Sequence, residues 1–195
     1  MTEKIITATN TYEELIKKSS FVSVCGHVSS TDDFLEFLEQ YQDLSATHNC
    51  WAYRINDEYR FNDDGEPSGT AGKPILAAID GAGFNYVAAL VIRHYGGVKL
   101  GTGGLARAYG GTTAKNLQQA AHTFYIPLQA LQVQLPFEYS QQLYSLSTEY
   151  KAEVIEQNFN INGMHCILSI PTTQYDSFKT SLINITKGQA CFIDS

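Results

Sequence analysis

Apolar positions fall into two rhythms along this chain, and the switches between them mark out its elements. Residues 21–28, Phe-Val-Ser-Val-Cys-Gly-His-Val, are β-branched and half alternating, which predicts a strand. Ser30 and Asp33 stand three apart like a capping box, and Phe34, Leu35, Phe37, Leu38 and Tyr41 follow at helical spacing. Residues 50–55 read as a second strand, and Asn56-Asp57-Glu58 as a turn. Residues 71–78 predict a short helix with Pro74 in its first turn, where proline is tolerated. Residues 86–92 form a continuous apolar run bounded by turn signals, the signature of a buried central strand. A further helix is expected from Leu105 to about residue 121.

After Tyr125-Ile126-Pro127 the composition shifts: basic residues become rare and glycine nearly disappears. Leu131, Val133 and Leu135 alternate as a strand, and Leu143, Leu146 and Tyr150 mark a helix. Residues 152–159 and 164–170 read as two strands joined by Asn160-Ile161-Asn162-Gly163, a hairpin signal. Thr172 or Thr173 is expected to cap a helix carrying Tyr175, Phe178, Leu182 and Ile185, and residues 189–193 close as a strand. This order, β-α-β-β-α-β, is the ferredoxin-like pattern. The expected fold class is therefore α+β, with domains at 1–126 and 127–195.

Length and composition permit a sizeable core: 195 residues, 44% of them hydrophobic. No run of eighteen apolar residues predicts a membrane-spanning helix, and the first residues lack the pattern of a signal peptide, which points to a cytosolic protein. Cys25, Cys50, Cys166 and Cys191 are scattered without a CxxC pair, so reduced thiols are expected rather than disulfides or a zinc site. The net charge of −7 argues against a generally basic nucleic-acid binder. Its distribution changes that picture. No Asp or Glu occurs from Gly81 to Phe137, whereas Arg93, Lys99, Arg107 and Lys115 all do. A local positive island of this kind steers anions even in an acidic protein; otherwise it is four solvated charges.

Two blocks are richer in polar residues and glycine than a core requires. The first runs from Asn62 to Pro74; the second, from Arg93 to Gly111, holds seven of the fifteen glycines. A strand, a glycine-rich turn and a helix N-terminus make a natural anion site, because unpaired N–H groups and the helix dipole converge there. Tight strand-to-helix packing would use the same glycines. Gly101-x-Gly103-x-x-Ala106 satisfies a loose dinucleotide pattern but lacks the acidic residue about twenty positions on, and Pro67 stands where the first glycine of a P-loop belongs, so both motifs are rejected. Asp63, Asp64 and Glu66 offer oxygen ligands or acid–base chemistry, or simply form a turn. His48 and Cys50 sit two apart on a strand and share a face, which allows a Cys–His pair; a buried thiol is the plainer reading. Tyr53, Tyr95 and Tyr109, each near an arginine, could stack on bases or line the core rim.

At these same residues the chain resembles the YigZ/IMPACT family. The resemblance runs from about Lys17 to Ala121, through Ala46-Thr47-His48-Asn49-Cys50-Trp51-Ala52-Tyr53, the whole of 63–74, and Tyr95-Gly96-Gly97-Val98-Lys99-Leu100-Gly101-Thr102-Gly103-Gly104-Leu105. Ser20 departs from it, since the family usually carries Arg there. The resemblance implies an N-terminal domain of the ribosomal-protein domain-2-like class, shared with elongation factor G, ribonuclease P protein and small-molecule kinases. It also implies a ferredoxin-like C-terminal domain similar to the last domain of elongation factor G. Such a pair suggests contact with ribosomal or other RNA. The family's eukaryotic members regulate translation by competing for an activator of a stress kinase.

The expectation is a non-catalytic cytosolic protein that binds RNA, the ribosome or a translation-regulatory complex, with no cofactor, metal or membrane. The expected anion-binding residues are Lys73, Arg93, Tyr95, Lys99, Thr102, Gly103, Gly104 and Arg107. His48, Asp63, Asp64, Glu66, Ser68 and Thr70 are expected to organise the loops around them. The alternative is a small-molecule phosphate binder or hydrolase using the same two blocks.

Overall fold

Alternation in four strands decides how the first part of the chain folds. A computed structural model describes residues 3–161 and 163–193. The chain divides into two compact units, Met1–Tyr125 and Ile126–Ser195. In the first unit, β2 (Asn10–Ile16), β3 (Ser19–His27), β4 (His48–Ile55), β5 (Glu58–Asn62) and β6 (Val87–His94) form one antiparallel sheet in the order β2-β3-β6-β4-β5. Successive side chains point to opposite faces. Phe21, Cys25, Cys50, Ala52, Ala89 and Val91 pack against Ile75 and Ile79 of α2 (Gly72–Ala82) and Leu105 and Tyr109 of α3 (Thr102–Gln119). Val24, Tyr53, Leu90 and Ile92 face Phe34 and Phe37 of α1 (Thr31–Tyr41) instead. The sheet is thus buried on both faces. This explains why β6 carries no polar residue before Arg93 and reads as one apolar run.

The expected cap of α1 is present in a modified form. Ser30 Oγ accepts the Asp33 N–H at 3.1 Å, while Asp33 Oδ2 reaches past Ser30 to accept the Ser29 N–H at 2.9 Å. These bonds, the Ser29 hydroxyl first among them, hold the Asp33 carboxyl down at about 2. The helices after 71 and near 105 run longer than the apolar spacing predicts, to Ala82 and from Thr102. Strands β2 and β5 are the two edges of the sheet and lack an apolar period: β2 exposes alternate residues and β5 all five. The short pair β1 (Lys4–Ile6) and β7 (His122–Phe124) joins the two ends of the unit.

The second unit keeps the predicted order of elements: β8 (Leu128–Leu135), α4 (Ser140–Glu149), β9 (Glu153–Asn160), β10 (Gly163–Pro171), α5 (Tyr175–Ile185) and β11 (Cys191–Ile193). Its antiparallel sheet runs β11-β8-β10-β9. Leu131, Val133, Leu135, Met164, Cys166, Leu168 and Ile170 pack on Leu143, Leu146, Phe178 and Leu182 of the two helices. The expected threonine cap of α5 is absent. Thr172 and Thr173 lie in a 3-10 turn that leads into the helix, and no side chain caps Gln174. Of the expected hairpin loop, Asn162 lies outside the described residues.

Candidate functional site

The site begins as a row across three strands. Phe21 of β3 and His48 of β4 both pair directly with Arg93 of β6, on the face covered by α2 and α3. Arg93 therefore continues the series Val87, Ala89, Val91 inward, and only 4% of it is exposed. Its guanidinium lies over the rings of both Phe21 and Tyr95, 5.3 Å from each centroid. A buried cation requires a partner. Glu66 supplies it: Arg93 Nη1 donates to Glu66 Oε1 at 2.5 Å, with both side chains about 5% exposed or less. Tyr109 of α3 donates its hydroxyl to the same oxygen at 2.7 Å, and His48 Nε2 stands 3.8 Å away. Burial, followed by the neighbouring Cys50 and Glu66, pushes the Tyr109 phenol far up, so it is held as a neutral donor.

The loop carrying Glu66 is built by its two other acids. Asp63 turns back to the start of α2: Oδ1 accepts the N–H groups of Ala71 and Gly72 at 3.0 and 2.8 Å, and Oδ2 accepts that of Gly69 at 2.8 Å. Burial alone would raise the Asp63 pKa, but these three donors outweigh it and the net shift is downward. Asp64 accepts the Asn49 N–H, and its carbonyl accepts a hydrogen bond from His48 Nδ1 at 2.7 Å. That bond fixes the proton on Nδ1 and leaves Nε2 facing Glu66. The three acids thus diverge to three tasks, and no cluster able to hold a metal ion occurs among the described residues. Cys50 Sγ donates to the Asp63 carbonyl at 3.0 Å, and burial pushes its thiol up to about 12. Cys50 is fully buried, the plainer of the two readings its position allows.

The glycine-rich block meets this loop across a cleft of about 400 Å³. Its walls include His48, Glu66, Arg93, Tyr95, Lys99 and Thr102. Gly96 lets the block leave β6: a Cβ there would collide with the Lys18 carbonyl at the tip of the β2–β3 hairpin. Gly101 precedes α3 with φ 73°, a positive φ that favours glycine, and no side chain caps the helix. Of this helix start, Gly101, Thr102 and Leu105 line the cleft.

The remaining singled-out residues lie elsewhere. Arg107 and Gly104 line a separate depression of about 280 Å³ with Glu14, Lys17 and Lys115; Leu100 is common to both hollows. Lys115 is paired to Glu14 at 2.5 Å. Gly103 is exposed at the start of α3, Lys73 is exposed in the first turn of α2, and neither borders the cleft. Ser68 is exposed, while Thr70 is buried and donates to the Pro67 carbonyl. Thr47, Leu100 and Pro67 also line the cleft, and Phe21 forms the floor under Arg93, although none of the four stands out in the sequence as a site residue. The cross-strand partner of Arg93 emerges only once the strand register is known.

Comparison with known proteins places this architecture. Residues 17–117 match the family model of the Impact N-terminal domain. An IMPACT family member encoded in the pol 5′ region of Thermus thermophilus is 38% identical over 157 residues, covering 80% of this chain and 87% of that protein. The IMPACT family member YigZ of Escherichia coli is 31% identical over 185 residues, covering 91% and 90%. A crystal structure of a hypothetical protein superposes with a TM-score of 0.70 at 29% identity, covering 100% of this chain and 97% of that one. The acidic loop, the cleft and the start of α3 all lie inside the matched segment, and the chain belongs to the IMPACT family.

Proposed function

We propose that this protein works in the cytoplasm by binding RNA, or a ribosome-associated complex that exposes RNA, and modulates translation without chemical turnover. One observation carries the reading: the cleft joins the open N-terminus of α3 to Lys99 and Thr102, while the charge of Arg93 beneath them is cancelled by Glu66. The free positive potential is thus at the surface, where a phosphate can reach it. The acid-free stretch from Gly81 to Phe137 extends that potential, and Arg107 and Lys17 carry it into the adjoining depression. Leu100 borders both hollows, so a phosphate backbone could pass from one to the other over it. The full burial of Cys50, and the engagement of Glu66 Oε1 by both Arg93 and Tyr109, support binding over catalysis. A translation-regulator protein recognised together with RNA fits the same family reading.

Fold supports the same view. We read the first unit as ribosomal-protein domain-2-like and the second as ferredoxin-like, from its β-α-β-β-α-β order and the sheet order β11-β8-β10-β9. We place RNA binding on the first unit rather than the second. Its central strands turn Gln132, Gln134, His165, Ile167 and Ser169 away from the helices, with no Phe, Tyr, Trp, Lys or Arg among them. The two units are proposed to fold independently. A fragment of residues 126–195 should show one cooperative thermal transition with native-like helix content; a fragment that melts without a transition would refute this division.

RNA binding is tested by fluorescence anisotropy at several salt concentrations. Removing one cation that meets a phosphate should lower the logarithmic salt slope by roughly 0.7–0.9. Lys99→Ala and Arg107→Ala are expected to weaken binding and flatten that slope, with stability changed by only about ±0.5 kcal/mol, since both residues are exposed. An unchanged slope in the double variant would remove this surface from the mechanism, and a wild type that binds no RNA would overturn the reading.

A further inference from the structure

We infer that the cleft takes a single unstacked nucleotide, with its base on the free face of Tyr95 and its phosphate at the start of α3. The inference deepens the RNA-binding reading, and rests on it only for the macromolecular source of the nucleotide. Tyr95 is the key residue. Its backbone is anchored, with its N–H donated to Thr47 Oγ1 at 3.0 Å. Its ring lies against the Arg93 guanidinium, which lies in turn on the fully buried ring of Phe21. Yet 44% of Tyr95 remains exposed. A ring with a rigid cation behind it and water in front of it is a stacking platform.

The rest of the cleft suits the same ligand. Pro67, Leu100 and Leu105 give the cleft apolar lining, and Lys99, Thr102 and the uncapped start of α3 give it polar lining. A volume of about 400 Å³ lies in the small-ligand range of roughly 300–1,000 Å³, which accommodates one nucleotide but not a duplex. Arg93 is a rigid backing for that ring. Its Nε is buried and has no hydrogen-bond partner among the described residues, although Nη1 and Nη2 reach Glu66 and Ser19. A base can enter only if it leaves its stack. Single strands offer such bases freely, whereas a duplex must break pairing and stacking first.

The test uses a fluorescein-labelled oligouridine of about 12 nucleotides, within the ordinary range of single-strand sites, free and annealed to its oligoadenosine complement. The full-length protein should bind the single strand roughly ten-fold more tightly at equal salt, and uridine 5′-monophosphate should compete. Tyr95→Leu should weaken single-strand binding about ten-fold, leave duplex binding unchanged and leave the salt slope intact, because stacking carries no charge. Tyr95→Phe should behave as wild type. Equal wild-type affinity for both forms, or a Tyr95→Leu effect that is absent or shared by the duplex, overturns the inference while RNA binding itself stands. The wild-type comparison and the competition decide the matter even if a variant does not fold. Saturable binding of uridine 5′-monophosphate that Tyr95→Leu abolishes, without binding of either RNA, supports the pocket with free nucleotide as its source and overturns the RNA reading. Failure of all three probes overturns both.

Discussion

Glu66→Ala is expected to cost about 3–5 kcal/mol of stability, because it strands the Arg93 charge in a site from which water is nearly excluded. It also leaves the buried Tyr109 hydroxyl without its acceptor. Typical domains hold only about 5–15 kcal/mol in total, so the variant should be marginal at physiological temperature. Urea denaturation should show a lowered midpoint. If charge is the cause, a second change should repair the first. Replacing both partners, as in Glu66→Leu with Arg93→Met, should recover much of the loss, since a buried pair exchanged for apolar side chains of similar volume is often near neutral. Glu66→Gln should fall between, keeping an acceptor for Tyr109 but losing the countercharge. A double variant no more stable than Glu66→Ala alone would show that Glu66 acts by shape rather than by charge.

The same pair shows what the sequence could and could not convey. Density of polar residues marked both blocks, and the structure does bring Glu66 of one against Arg93, Tyr95, Lys99 and Thr102 of the other. The roles inside the blocks depend on facts that no local pattern carries. Arg93 ends an apolar run buried on both faces, so period-two alternation cannot say which way it points, and it reads equally well as a surface cation. Only the pairing with Phe21 and His48 sets it inside. Arg107 and Lys99 are close in sequence, but α3 begins between them, and Arg107 borders the second hollow rather than the cleft. The β2–β3 turn was invisible for another reason. Lys17 and Lys18 adopt φ of 47° and 68°, conformations usually given to Asn or Gly, so the chain carries no turn signal there. In the second unit β8, β10, α4 and α5 followed their own short-range periodicity and a turn signal marked the end of β9, which is why the element order was legible, while the cap of α5 was not.

Asp63 is the clearest case of a long-range role hidden in a loop. Helix α2 has no local cap: Ala71 occupies the N-cap position with no side-chain bond. Asp63 supplies the missing acceptors from eight and nine residues away, where no capping motif would be sought. Asp63→Ala should therefore cost about 2–3 kcal/mol, since the cap disappears and N–H groups are left unpaired. Asp63→Asn should cost less, about 1 kcal/mol, because its amide oxygen still caps Ala71 and Gly72 while its NH₂ opposes the Gly69 N–H. The two variants also separate charge from geometry by pH. The folded-state pKa of Asp63 lies below its unfolded value, so the carboxylate stabilises the fold above about pH 4 and that contribution disappears as pH falls through the folded pKa. Wild type should thus lose more stability than Asp63→Asn between about pH 5 and pH 2, and the two should converge at the acid end. Parallel acid-unfolding curves would show that the three N–H bonds to Asp63 owe nothing to its charge.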